Sequence, residues 1–169
     1  MPDSRSRSNN PAALHGREPA LAEMELGTVG TMHAFQRWIV RCVEAAGQRD
    51  LTATDVQVLH HLNRRAHDRR LTDICFILNI EDSHVVAYSL RKLVGLGLAC
   101  TDRHGKEVTY STTEAGRKCM VRYNEIREHR LLDALGTIGL RKTALEELAL
   151  YLRRMSGLYD QAARAAASL

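Results

Sequence analysis

LTDICFILNIEDSHVVAYSLRKLVGLGLACTDRHGKEVTYST, residues 71–112, changes its hydrophobic period partway along, and that change decides the fold. The opening LTDICFILN reads as a short helix, with Thr72 as its cap and Ile74, Ile77 and Leu78 as core residues. Asn79 and Ile80 make a tight turn, and a second helix starts at Glu81 to Ser83 and runs to about Leu96. Its apolar face is Val86, Leu90, Leu93 and Val94, and Gly95 and Gly97 end it. After Gly97 the period falls to two: Leu98, Cys100 and Asp102 alternate with Ala99, Thr101 and Arg103. A tip of His104, Gly105 and Lys106 leads into EVTYST, a return strand rich in β-branched residues. Helix, tight turn, helix and hairpin in that order make a helix-turn-helix with a wing.

A major groove about 12 Å wide admits one α-helix, and residues near the N-terminus of that helix reach the base edges. The polar side of the second helix carries Ser83, His84, Ala87, Tyr88, Arg91 and Lys92. Ser83, His84 and Tyr88 offer hydrogen bonds, Ala87 permits close approach, and Arg91 and Lys92 lie where a phosphate strand would pass. Arg103 and Lys106 belong to the wing, and the basic loop Arg64, Arg65, Arg69 and Arg70 flanks the unit. Taken alone, the polar helix face reads as an ordinary solvated surface, and charge runs usually are just that. The hairpin directly behind it turns the reading toward double-stranded DNA.

Working outward, LTATDVQVLHHLNRR begins with Thr52 as a cap and Asp55 three residues on, while Leu51 and Val56 are spaced for a hydrophobic staple. Its buried stripe is Val56, Leu59 and Leu62. Upstream, Met32, Phe35, Ile39, Val43 and Ala46 fall at helical spacing from Leu21 onward, and Gly47 stops that helix. Downstream, Thr113 and Glu114 start a helix through Met120, Tyr123 and Ile126 toward Leu135, where Gly136 and Gly139 break it. The last helix bears Leu145, Leu148, Leu152, Met155 and Tyr159, a heptad-like seam suited to a partner helix. The expected fold is mainly α with a small β-hairpin wing (α+β). A disordered arm spans residues 1–20, a dimerisation helix 21–50, the winged helix-turn-helix core 51–112, and C-terminal dimerisation helices 113–169.

Composition sets the outer bounds. The 169 residues suggest one domain of ordinary size, 44% hydrophobic with only 5% aromatic, hence an aliphatic core. A net charge of +4 permits a polyanionic partner without establishing one. Cys42, Cys75, Cys100 and Cys119 form no CxxC pair, so buried thiols in a reducing, cytoplasmic setting are expected in place of disulfides or a zinc ribbon. No apolar run reaches the roughly 20 residues of a membrane span, and the polar N-terminus with Arg5, Arg7 and Arg17 lacks a signal-peptide pattern. No phosphate loop, HExxH or GxSxG occurs, which argues against an enzyme. His33, His60, His61, His129 and Cys42 would ligate a metal only across helices, so no metal and no cofactor are expected. Two rivals remain: a metal- or redox-responsive regulator, and a winged helix that binds protein in place of DNA, against which Arg91, Lys92, Arg103 and Lys106 speak.

The runs LTATDVQVL, LTDI, VVAYSLRKLVGLGLACTDR and VTYSTTEAGR, in this order and spacing, resemble the winged-helix core of MarR-type bacterial transcription regulators. The most specific pieces are residues 93–98 and the run Thr112, Thr113, Glu114, Ala115, Gly116 after the wing. The resemblance implies a homodimer held by N- and C-terminal helices, with Leu145, Leu148, Leu152 and Met155 in the interface. It also implies binding to a pseudo-palindromic operator, and a small-molecule effector site between dimerisation helices and winged domain, which Phe35 and Trp38 would line. Three features depart from the pattern, the first being a turn before Ser83 and His84 that is one residue longer than usual. Asp102 and Arg103 are adjacent where the family's wing carries Asp-x-Arg, leaving Arg103 as the candidate minor-groove arginine. Cys42 lies late in the first helix, whereas peroxide-sensing members keep a reactive cysteine near its start, so that role is not carried over.

Overall fold

A computed structural model describes residues 18–64 and 69–169. The expected arm falls mostly outside these residues, as do Arg5, Arg7, Arg17 and Arg65. The described residues form two compact units, one ending at Val121 and the other Arg122–Leu169. Among the described residues no helix is long and apolar enough to cross a membrane.

Helix α1, Glu18–Ala45, starts three residues before the expected Leu21. Pro19 is tolerated because the first amides of a helix have no intrahelical acceptor to lose. Gly27 and Gly30 do not interrupt it. It ends in a Schellman pair, Gln48 N–H on Val43 O at 3.1 Å and Gly47 N–H on Glu44 O at 3.0 Å, made possible by Gly47 at φ 96°. Only Ile39, Cys42 and Val43 of α1 are buried, and Leu26, Val29, Met32 and Phe35 stand exposed.

Helix α2, Ala53–Asn63, has the capping box expected at Thr52. The Asp55 amide donates to Thr52 Oγ1 at 3.2 Å, and the Thr52 amide to Asp55 Oδ2 at 2.8 Å. Leu51, Val56, Val58, Leu59 and Leu62 are all buried.

Helix α3, Leu71–Leu78, begins earlier than expected, with Arg70 and not Thr72 at the N-cap. The cause is Asp73, whose carboxylate accepts from the Arg70 amide at 3.3 Å. Of the expected core residues Ile74 is buried, Leu78 is half-buried and Ile77 is exposed, since a helix of two turns offers the core a single stripe. Asn79 in the left-handed region (φ 53°) closes α3, and Ile80 N–H bonds Cys75 O at 3.0 Å.

Helix α4, Ser83–Gly95, buries Val86, Ser89, Leu90 and Leu93. Asp82 caps it, accepting from the His84 amide at 2.9 Å. Leu98 N–H on Leu93 O at 2.9 Å and Gly97 N–H on Val94 O at 3.0 Å end it as a second Schellman motif.

Strands β1 (Ala99–His104) and β2 (Glu107–Thr112) pair antiparallel, with Arg103 opposite Val108 and Thr101 opposite Tyr110. Gly105 supplies the positive φ, 65°, that the two-residue turn needs. Arg69 and Tyr110 exchange backbone hydrogen bonds at 2.9 and 2.8 Å, adding a one-residue third strand beside β2.

Helix α5, Glu114–Arg127, is tied to this hairpin at its root. The Thr113 hydroxyl accepts from the Gly116 amide at 3.1 Å and donates to Gly97 O at 2.6 Å. The helical run toward Leu135 is present, and it passes through a π-helical segment, Glu128–Leu132, into the short helix α6, Asp133–Thr137. Ile126 ahead of the segment and Leu131 within it, five residues apart, are both half-buried, the spacing a π turn brings into line. Helix α7, Lys142–Ala166, buries none of its residues.

The cysteine expectation needs correcting too. All four are free, but only Cys42 and Cys119 are buried; Cys75 is half-buried and Cys100 exposed. Burial pushes the Cys119 thiol up from its ordinary value. Cys100 sits near the root of the wing, where a strand with one solvated face leaves it open beside Ser111, Sγ to Oγ 3.3 Å.

Candidate nucleic-acid interface

The buried residues of α4 put its opposite side in solvent. His84, Tyr88 and Arg91, at i, i+4 and i+7, form one exposed stripe, with Ser83 exposed beside it and Ala87 half-buried on its flank. Tyr88 is 63% exposed, well beyond what a packing role would leave. The Arg91 guanidinium has no hydrogen bond or ion pair with the described residues.

Asp82 fixes the register at the start of this helix. Its side chain occupies the cap, so Ser83 and His84 are the first two helical residues, and their amides open the positive end of the helix dipole. A base-reading or phosphate-binding group gains most from that position.

Lys92 departs from the expected pattern. A step of one residue from Arg91 turns it to the flank of α4, and its ammonium pairs with Asp55 Oδ2 on α2 at 2.8 Å. It also donates to the backbone carbonyl of Asp50. Asp55 is buried, its side chain 1% exposed. Burial acts to raise its pKa, but the Lys92 ammonium, the Ser89 hydroxyl and the two Thr52 bonds outweigh it and hold the carboxyl below its ordinary value. Sequence reading placed Lys92 beside Arg91 because both are basic; a partner 37 residues away leaves no local signal.

On the wing, Arg103 and Lys106 are exposed and unpaired among the described residues. The Asp102 carboxylate folds back to accept from the Arg103 amide at 2.7 Å, which stiffens the strand just before the tip. Arg69 and Arg70 are committed differently from a free basic loop. Arg69 is half-buried through its bridge to Tyr110, and Arg70 pairs with Glu107 of β2 at 2.7 Å. Both sides of that pair are exposed, so it contributes little stability and remains accessible to a phosphate. Arg70, Leu71, Thr72, Lys106, Glu107 and Val108 line a shallow recess between the start of α3 and the wing.

Phe35 is exposed and Trp38 half-buried on α1. On α7, Leu145, Leu148 and Leu152 are 37%, 49% and 53% exposed, and Met155 is half-buried. Among the described residues no three His, Cys, Asp or Glu side chains gather as metal ligands.

Comparison with known proteins converges on the same region. Residues 51–116 match the family model of the winged helix DNA-binding domain. No curated protein sequence matches the chain. Solved structures match over nearly their full length. A MarR family regulator from Neisseria meningitidis is 18% identical with a TM-score of 0.67, covering 85% of this chain and 95% of that one. A MarR transcriptional regulator from Methanosarcina mazei is 18% identical with a TM-score of 0.64, covering 80% and 90%. BpsR from Bordetella bronchiseptica, whose DNA binding is regulated by 6-hydroxynicotinic acid, is 22% identical with a TM-score of 0.56, covering 78% and 98%.

Proposed function

We propose, from the match of residues 51–116 to the winged helix DNA-binding domain and the likeness of the fold to solved MarR regulators, that the protein is a cytoplasmic transcription regulator that binds a pseudo-palindromic DNA site as a homodimer. The observation that carries this reading is the exposed stripe Ser83, His84, Tyr88 and Arg91 on α4, with the uncommitted Arg103 and Lys106 on the following hairpin. In this reading Ser83 and His84 meet base edges, Tyr88 and Ala87 line the groove, and Arg91, Arg69, Arg70 and Lys106 hold phosphates. Arg103 enters the minor groove. Lys92 is engaged with Asp55.

Dimerisation is supported by the apolar surface that α1 and α7 leave in water. Leu26, Val29, Met32 and Phe35 on one helix and Leu145, Leu148 and Leu152 on the other are all exposed, and apolar surface of that extent marks an interface. A small-molecule effector bound near Phe35 and Trp38 would control DNA binding, and the regulation of the Bordetella neighbour by 6-hydroxynicotinic acid supports seeking one. The roles belong to binding, and no catalytic step is assigned.

The test is binding to a randomised 30-bp duplex library at low salt, followed by titration of the enriched duplex against a scrambled one. Enrichment of inverted half-sites about 10 bp apart is expected, with affinity falling steeply as salt rises. If no duplex binds, or if affinity is indifferent to salt, the proposal fails.

A further inference from the structure

The ion pair between Lys92 and Asp55 is placed where it bears on specificity. Lys92 stands next to Arg91 on α4, yet its ammonium is turned to α2, 2.8 Å from a carboxylate with a 1% exposed side chain. The same Asp55 Oδ2 accepts the Thr52 amide at 2.8 Å. The same Lys92 ammonium donates to the carbonyl of Asp50, a residue held at φ 66°. Ser89, one turn before Lys92 on α4, is buried beside that carboxylate and stabilises its charge. One carboxylate thus joins the start of α2, and one ammonium joins the junction between α1 and α2, to the last turn of the helix that bears Ser83, His84 and Tyr88.

A burial of this kind is a poor source of stability, because desolvation of both charges offsets most of their attraction. It is a good source of orientation. An apolar contact between α2 and α4 tolerates rotation of one helix on the other, whereas a charge pair 2.8 Å long, anchored on a buried carboxylate, does not.

We propose that Lys92 and Asp55 are positioning residues for DNA recognition: the pair fixes the rotation of α4 about its own axis, and Lys92 makes no phosphate contact. The inference rests on the proposed DNA-binding function. Lys92→Met and Lys92→Gln keep all but one atom of the side chain's length and remove its charge. Lys92→Arg keeps the charge.

The measurement is affinity for the duplex enriched by the wild type and for its scrambled counterpart, at four salt concentrations, with folding checked by urea unfolding. The expected result for Lys92→Met and Lys92→Gln is a loss of about tenfold in the ratio of the two affinities, of the size of one lost base contact. Random-duplex affinity and salt slope stay unchanged, and Lys92→Arg restores most of the ratio. Equal weakening on both duplexes with the slope lower by about one unit would identify a phosphate contact and overturn the proposal. An unchanged ratio would also overturn it, as would failure of both neutral variants to fold, which would make the pair a stability element. A wild type without preference for any duplex would instead count against the DNA-binding function itself.

Discussion

The Cα of Gly116 faces the carbonyl oxygen of Leu98 so closely that a Cβ built on it would lie 2.1 Å from that oxygen and 2.6 Å from Thr112 Cγ2. The carbonyl cannot retreat, because it already accepts the Thr113 amide at 3.1 Å. Gly116→Ala is therefore expected to destabilise the protein by about 1–3 kcal/mol in urea unfolding through overpacking. Gly95→Ala is the control: its Cβ would meet nothing within 4 Å, and alanine there should leave stability unchanged or raise it by up to about 1 kcal/mol. Equal behaviour of the two variants would show that the close approach is not present in solution.

The Asp55 carboxyl gives a pH dependence with a definite sign. Its pKa in the fold lies below the ordinary value of 3.8, so the folded state holds the proton less tightly than the unfolded chain. The stabilisation is complete above the unfolded pKa and is lost as pH falls through the folded one. Asp55→Asn keeps a capping side chain but removes the charge opposite Lys92, and near neutral pH it should cost about 1–3 kcal/mol, since the ammonium left behind is 25% exposed and can turn to water. The gap between wild type and Asp55→Asn, followed by urea unfolding from pH 7 to pH 3, should narrow on the acid side. A constant gap would mean that the carboxylate charge contributes nothing.

Reading and positioning on α4 and the wing should separate by substitution. His84→Ala or Ser83→Ala should lower affinity for the enriched duplex by about 1–3 kcal/mol and leave random DNA nearly untouched. Arg91→Ala should weaken both duplexes alike and reduce the salt slope by about one unit. Arg103→Ala should abolish a preference for A·T-rich flanks where the minor groove is narrow. Unchanged specificity in both Ser83→Ala and His84→Ala, with circular dichroism as for the wild type, would place the reading surface elsewhere.

The seam on α7 should govern assembly. Light scattering of the intact protein is expected to give about 38 kDa, twice the 19.0 kDa chain. A glutamate at Leu148, 49% exposed in the single chain, should shift it toward 19.0 kDa, because a carboxylate cannot be buried unpaired between two copies. A wild type that is monomeric at micromolar concentration would remove the dimer from the proposal.

The parts of this fold that depend on near neighbours were legible in the sequence. Thr52 and Asp55 form their box across three residues, Gly47 and Gly97 supply positive φ where helices stop, and Gly105 does so at the hairpin tip. Burial stripes at steps of three and four placed Val56, Leu59, Leu62, Val86, Leu90 and Leu93 correctly. What escaped were pairings whose two ends lie far apart. Nothing near Lys92 announces Asp55, and nothing near Gly116 announces the carbonyl of Leu98. The start of α3 was missed for a smaller reason, since Thr72 and Arg70 both precede the apolar run and only the position of Asp73 decides between them. The π segment is a spacing of five between Ile126 and Leu131, a signal that a search at steps of three and four passes over.

The backbone bridge between Arg69 and Tyr110 has a consequence for motion. Two hydrogen bonds, 2.9 and 2.8 Å, join the residue just ahead of α3's cap to the middle of β2. Opening the hairpin therefore requires releasing the start of α3 as well, so the two segments should exchange their amide hydrogens as one cooperative unit. Wings joined to their domain only through covalent connections can flicker open independently. Here the amides of Arg69 and Tyr110 should show the same opening free energy, and a protein bound to DNA should slow both together.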